Sequence, residues 1–223
     1  MAGYRRRGIV RRRRFRGRRR IFRRRRPLRR RGKGTFYCKF TKSTTLEVPI
    51  TSTSDWSASF VPSDFLEYTN LAAAFESIQF LKAKVRVLPC QNISNNSTSV
   101  VPSYCMLPWH RDSPPGSALT FNQFVSSDHA KIYRMTERGK QMYVPNTLVL
   151  ADGQSDKEGT KEGHQIVWKP VIERAIASGK LPRIYCGLVA FQGISTLPAG
   201  TKAYFDIITD VWVKCKNQNI LMV

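Results

Sequence analysis

Beyond residue 34, apolar and polar residues alternate with a period of two along much of the chain, and the elements this predicts are strands. In residues 36–48, Phe36, Cys38, Phe40, Leu46 and Val48 fall on one parity, while Tyr37, Lys39, Thr41, Ser43 and Thr45 fall on the other. Residues 80–88, FLKAKVRVL, carry the clearest pattern: Leu81, Ala83, Val85 and Val87 alternate with Lys82, Lys84 and Arg86. One side of that strand is apolar and the other carries three cations. Residues 202–216 set Phe205, Ile207, Val211 and Val213 against Tyr204, Asp206, Asp210, Lys214 and Lys216. Shorter extended segments are predicted at 99–107, at 132–144 with an interruption around Gly139, at 165–169 and at 183–191, which makes seven strands.

Helical signals are sparse. The segment PSDFLEY at 62–68 can begin a helical turn, with Ser63 or Asp64 as cap, and Val171 to Ser178 reads as one or two turns stopped by Gly179. The rest of 49–77 is irregular, with a polar connection around Trp56. Long polar loops are expected at 91–99, 108–117 and 151–164. Strands separated by such uneven loops, without internal repeats or intervening helices, predict an all-β fold, an antiparallel eight-stranded jelly-roll sandwich. Four tryptophans, Trp56, Trp109, Trp168 and Trp212, are expected to be packing residues, with stacking of Tyr and Trp on bases as the alternative.

Charge divides the chain in two. Residues 1–34 hold 18 Arg and one Lys, half of the chain's 38 basic residues, and no acid. The remaining 19 basic residues face 15 acidic ones, so the net +23 belongs mainly to a basic N-terminal arm on a nearly balanced body. Such a segment has too few apolar groups to bury and repels itself, so it is expected to be disordered when unbound. The boundaries are therefore an arginine-rich arm at 1–34 and one folded domain at 35–223.

Guanidinium groups offer paired donors to phosphate oxygens and stack on bases, whereas solubility alone requires neither property. The expected nucleic-acid ligands are Arg5, Arg6, Arg7, Arg11, Arg12, Arg13, Arg14, Arg16, Arg18, Arg19, Arg20, Arg23, Arg24, Arg25, Arg26, Arg29, Arg30, Arg31 and Lys33. Membrane binding is the rival reading, but Tyr4, Ile9, Val10, Phe15, Ile21, Phe22 and Leu28 do not form one helical stripe, and Gly8, Gly17 and Pro27 weaken a helix. The arm also matches basic runs that serve as nuclear-import signals. The face bearing Lys82, Lys84 and Arg86 has two readings: a continuation of the phosphate path, or cations that are merely the solvent side of an amphipathic strand or pair with loop acids.

Catalytic and metal signals are weak. Cys38, Cys90, Cys105, Cys186 and Cys215 are odd in number and widely spaced, which argues against a disulfide framework or a zinc site and fits a reducing compartment. His110, His129 and His164 lack neighbours at ligand spacing, so no cofactor or metal is expected. The tripeptide His110-Arg111-Asp112 lacks the rest of a kinase catalytic loop, and no phosphate-binding loop or nucleophile elbow is present. No apolar run approaches a membrane span or a signal-peptide core, so synthesis and use inside the cell are expected, without membrane insertion. The N-x-[ST] matches at Asn92, Asn95 and Asn96 are discounted as glycosylation sites on that basis.

The layout resembles the capsid proteins of small viruses with circular single-stranded DNA, the circovirus and cyclovirus group. FLKAKVRVLPC at 80–90 looks like the basic strand ending in Pro-Cys of these proteins, following a Phe-Leu segment that here reads DFLEY at 64–68, and FDIITDVWVKCK at 205–216 is similar to their last strand. The resemblance implies a jelly roll assembled as 60 copies into a T=1 icosahedral shell. It further implies an arm that binds the viral single-stranded DNA genome and engages host nuclear-import receptors, and exposed loops that form the outer surface. Attachment to sulfated glycosaminoglycans is a further implication, and the virion and host nucleus are the implied locations. The long loop 151–164 and the possible helix 171–178 depart from the more familiar animal circovirus capsids. Two alternatives stand beside it: a cellular RNA-binding structural protein resembling a ribosomal protein with a basic extension, and an enzyme carried to nucleic acid by the arm.

Overall fold

Two antiparallel sheets face each other across a core made from the apolar parity of each strand. The computed structural model describes residues 34–90, 101–111, 119–151, 163–173, 181–196 and 200–218. The arm ligands Arg5 to Lys33, and most of the loops expected at 91–99, 108–117 and 151–164, lie outside the described residues. The strands are β1 (Thr35–Pro49), β2 (Ser54–Ser57), β3 (Phe75–Pro89), β4 (Ser103–Pro108), β5 (Lys131–Arg134), β6 (Gly139–Tyr143), β7 (Asn146–Ala151), β8 (Gly163–Trp168), β9 (Val171–Glu173), β10 (Gly187–Phe191) and β11 (Lys202–Gln218). Two short helices are α1 (Leu66–Ala72) and α2 (Phe121–Val125).

The first sheet runs β1-β11-β3-β6 and the second β2-β10-β4-β5, so the chain repeatedly crosses from one sheet to the other. Eight strands in these two orders make the expected jelly roll. Three strands are added to it: β9 pairs with the first part of β3, and β7 and β8 form a separate hairpin. Alternation works as predicted along most of β1 and β11, where Phe40, Phe205, Ile207, Val211 and Val213 are buried and the intervening residues face outward, while Phe36 at the start of β1 is exposed and stacks on Phe75.

Four local expectations change. Leu81 does not point into the core. A bulge between Trp212 and Val213 pairs Lys82 with Trp212 and Phe80 with Val213, so Phe80 and Ala83 are both buried and Leu81-Lys82 are the two residues between them. The segment 132–144 is two strands in different sheets, with the buried Met135 leading into a turn that Glu137 closes by donating its N–H to the Arg134 carbonyl at 2.8 Å. Val171–Glu173 is a strand, because its β-branched pair complements the open edge of β3 beside Ser77–Gln79; residues 174–178 lie outside the described residues. Finally, β2 occupies a segment read as irregular, β7 forms where no element is predicted, and β3 begins several residues before the alternation becomes clear.

The two sheets differ on their outer sides, and this difference places the candidate site. β10 is buried along its whole length. Its inner side joins the main core, while Leu188 and Ala190 join Cys105, Leu107 and Phe124 in a second cluster covered by α2, with Trp109 packed against it. Among the described residues no helix packs on the outer side of β1-β11-β3-β6, where polar side chains stand beside Tyr37, Met142, Tyr204, Ile208 and Trp212. Sheet-to-sheet approach is close at Gly187, where an added Cβ would lie 2.6 Å from the Tyr143 ring and 2.8 Å from the Leu107 carbonyl oxygen. Gly187→Ala is expected to destabilise the domain by about 2 kcal/mol through over-packing, measurable as a lower urea midpoint at an unchanged slope.

Candidate nucleic-acid interface

Strand register converts the polar parities of β1, β11, β3 and β6 into rows across one surface. One row is Lys39-Trp212-Lys82, the next Thr41-Asp210-Lys84-Met142, and the next Ser43-Ile208-Arg86-Lys140. In the other direction, Tyr37 lies opposite Lys214 and Thr35 opposite Lys216. Lys82, Lys84 and Arg86 thus share one outward face, as their spacing predicts, and register brings Lys39, Lys140, Lys214 and Lys216 onto it.

Asp210 decides how much of this charge is available. Its carboxylate is only 4% exposed and accepts from Arg86 Nη2 at 2.9 Å, from Thr41 Oγ1 at 3.0 Å and from Lys39 Nζ at 3.5 Å. A nearly buried carboxylate needs such donors, because desolvation penalises an unpaired charge. Arg86 therefore follows the pairing alternative, with a strand acid in place of a loop acid. Lys82 is placed differently: its Nζ stands over the Trp212 ring, 4.5 Å from the centroid. Lys84 is half-buried between Asp210 and Met142.

The far end of the same face is neutralised locally. Lys202 pairs with Glu47, which holds the lysine above its ordinary pKa, and Thr45 Oγ1 donates to Asp206 at 2.7 Å. The end at which residues 1–34 join β1 carries Lys39, Lys82, Lys214 and Lys216 together with Tyr37 and Trp212, with Glu173 at the β9 edge. Cationic and aromatic groups in alternation suit the backbone and bases of a single strand.

Two tryptophans meet the packing expectation and two depart from it. Trp56 packs against the main core and Trp109 against the second cluster. Trp212 lies on the polar face, and Trp168 is half exposed, with His110 edge-on at 4.6 Å. His110 is engaged structurally: its Nδ1 lies 2.7 Å from Asn146 Oδ1 while Asn146 Nδ2 donates to the His110 carbonyl. Because that amide donates through its nitrogen, its oxygen accepts and Nδ1 carries the proton.

The thiols show no nucleophilic preparation. Burial pushes Cys105 up to about 11 and Cys215 up to about 12, and it also raises Cys38 and Cys186. A reactive cysteine needs the opposite shift. Among the described residues no group of three or more His, Cys, Asp or Glu side chains is placed to hold a metal.

The model of the family described as circovirus capsid protein matches residues 5–219, which include both the arm and the jelly roll. The chain belongs to the circovirus capsid protein family. The capsid protein of Human associated cyclovirus 1 (isolate Homo sapiens/Pakistan/PK5510/2007) is 41% identical over 187 residues, 84% of each chain. Among solved structures, the 60-mer BFDV capsid protein matches 82% of this chain and 94% of its own with a TM-score of 0.58 at 11% identity. The decameric form of the BFDV protein matches with a TM-score of 0.51 at 12% identity, covering 82% of this chain and 99% of its own. At such low identity the structural likeness concerns the jelly roll alone. The family is one of structural capsid proteins.

Proposed function

We propose that this capsid protein assembles as 60 copies into a T=1 shell and packages circular single-stranded DNA through residues 1–34. The single observation that carries the reading is the segregation of charge, with 19 cations and no acid in the arm and a nearly balanced body behind it, in a chain of the circovirus capsid family. Sixty such arms gather on the order of a thousand positive charges in one lumen, enough for a comparable number of phosphates by counterion release. Phosphate neutralisation by arginine is indifferent to base order, so the arm suits a genome of any sequence. Arg5 to Arg31 and Lys33 are the principal phosphate ligands, with Lys82 and Lys84 extending the path and Arg86 largely held by Asp210.

The arm also serves as the signal read by host nuclear-import receptors, and the finished protein belongs to the virion. Sulfated glycosaminoglycans, which present repeated anionic groups, are the expected ligands at the cell surface. Full-length protein purified at high salt and dialysed with circular single-stranded DNA is expected to form uniform closed particles by negative-stain electron microscopy. Soluble monomers or irregular aggregates across a range of salt would overturn shell assembly on single-stranded DNA by this chain. A fluorescent protein fused to residues 1–34 is expected to accumulate in nuclei, and even distribution would remove the import role.

Asp210 makes a separate expectation within this reading. Asp210→Asn keeps the shape but removes the anion that holds Arg86 and Lys39, so single-strand affinity is expected to rise severalfold at low salt while the domain loses about 1–2 kcal/mol. Affinity titrations and urea unfolding of the same preparation check both halves. Unchanged affinity would mean that Arg86 and Lys39 take no part in phosphate binding.

A further inference from the structure

We infer that Trp212 and Tyr37 form a base-stacking seat for single-stranded nucleic acid on the outer face of the first sheet, with Lys39, Lys82 and Lys214 holding the adjoining phosphates. The inference rests on the single-strand-binding reading above and adds to it a contact that is not electrostatic.

Three observations meet at this place. First, register puts Trp212 between Lys39 on β1 and Lys82 on β3, and puts Tyr37 opposite Lys214 in the neighbouring row. Second, both rings lie on the polar side of their strands: Tyr37 is 53% exposed, and Trp212 stands on the face that carries the lysines. Their π-faces are met by ammonium groups, Lys82 Nζ at 4.5 Å from the Trp212 centroid and Lys214 Nζ at 5.8 Å from that of Tyr37. Third, the β3 bulge turns Leu81 out of the core, so that it lines a shallow groove with Tyr37, Lys39, Lys82 and Trp212.

An ammonium over an exposed ring is a weak and mobile partner. A nucleobase covers the same π-face more fully, and stacking tolerates every base because each has such a face. When a base enters, the lysine leaves the ring for the phosphate attached to that base, so one ligand satisfies both groups. An acidic peptide or sulfated sugar would engage the lysines but need not bring a planar aromatic ring to stack on these side chains. Asp210, 3.5 Å from Lys39, sits behind the groove and limits that lysine's contribution.

The test uses the full chain and two probes of equal length, an oligothymidylate carrying 5-iodouracil and an abasic deoxyribose-phosphate oligomer. Photocrosslinks are expected at Trp212 or Tyr37 by peptide mapping. The thymidine probe is expected to bind on the order of tenfold more tightly than the abasic one. Trp212→Leu should remove most of that preference without altering the salt slope, while Trp212→Phe should keep much of it. Crosslinks confined to residues 1–34, with an unchanged preference in Trp212→Leu, would overturn the seat and leave strand binding by the arm intact. Absence of binding to both probes at low salt would overturn both readings.

Discussion

Raising the salt concentration about fourfold should weaken binding of the full chain to circular single-stranded DNA by about four orders of magnitude. The estimate takes roughly ten engaged cations and a slope near −0.7 per neutralised phosphate on logarithmic axes, giving a slope of about −7. The arm carries 19 cations, so this requires about half of them on phosphate at once. Changing half of the arm's arginines to Gln should reduce the slope by about half and leave the melting of residues 35–223 nearly unchanged. Changing Lys82, Lys84 and Arg86 together should reduce it by only about one or two, since Arg86 is already paired with Asp210. Titrations at four or five salt concentrations give all three slopes. A shallow slope for the unmodified chain would mean that contacts other than phosphate neutralisation dominate, and a slope insensitive to the arm would move the binding site to the sheet.

Phe205→Ala is expected to cost about 4 kcal/mol of folding free energy and to abolish particle formation near body temperature. Phe205 on β11 is fully buried, with Phe191 of β10 at 4.9 Å and Tyr104 of β4 at 6.0 Å between ring centroids. It therefore joins the two sheets. Removing the ring loses its transfer free energy and leaves a cavity that neither sheet can close without moving the other, which for Phe→Ala is worth about 3–5 kcal/mol. Against a typical total of about 5–15 kcal/mol that is a large part of the stability. The adjacent Tyr204 faces the other way and is 46% exposed, so Tyr204→Ala should change stability by no more than about 0.5 kcal/mol. Urea unfolding of the pair reads the orientation of β11 directly. Equal losses in both variants would contradict the parity assigned to that strand.

The places where sequence reasoning failed have separable causes. β2 is four residues long and borders β10 in a sheet whose other side is covered, so it has no long alternation to display. β9 is defined only by the edge of β3 that it completes, and three residues carry no period of their own. The segment 132–144 looks like one strand because both halves alternate, yet the turn after Arg134 sends the second half to the opposite sheet. At Leu81 the alternation itself is perfect and misleading, since a bulge shifts the parity by inserting one residue against β11. Residue type alone predicts that Trp212 packs, although its even position beside Asp210 and Lys214 places it on the polar side.

The amino-acid sequence by itself determined the class of strand-rich fold, the split between a charged arm and a balanced body, and the cationic parity of Lys82, Lys84 and Arg86. These are local properties: side chains two apart on a strand share a face whatever the strand pairs with, and nineteen cations without an acid repel one another in any context. Only the tertiary structure decided that Lys39, Trp212 and Lys82 form one row, that Asp210 takes Arg86 for itself, and that, among the described residues, α2 packs on the second sheet and no helix on the outer side of the first. The physical reason is register, which is set by the fit of apolar side chains in the shared core and leaves no mark on the outward residues that it brings together.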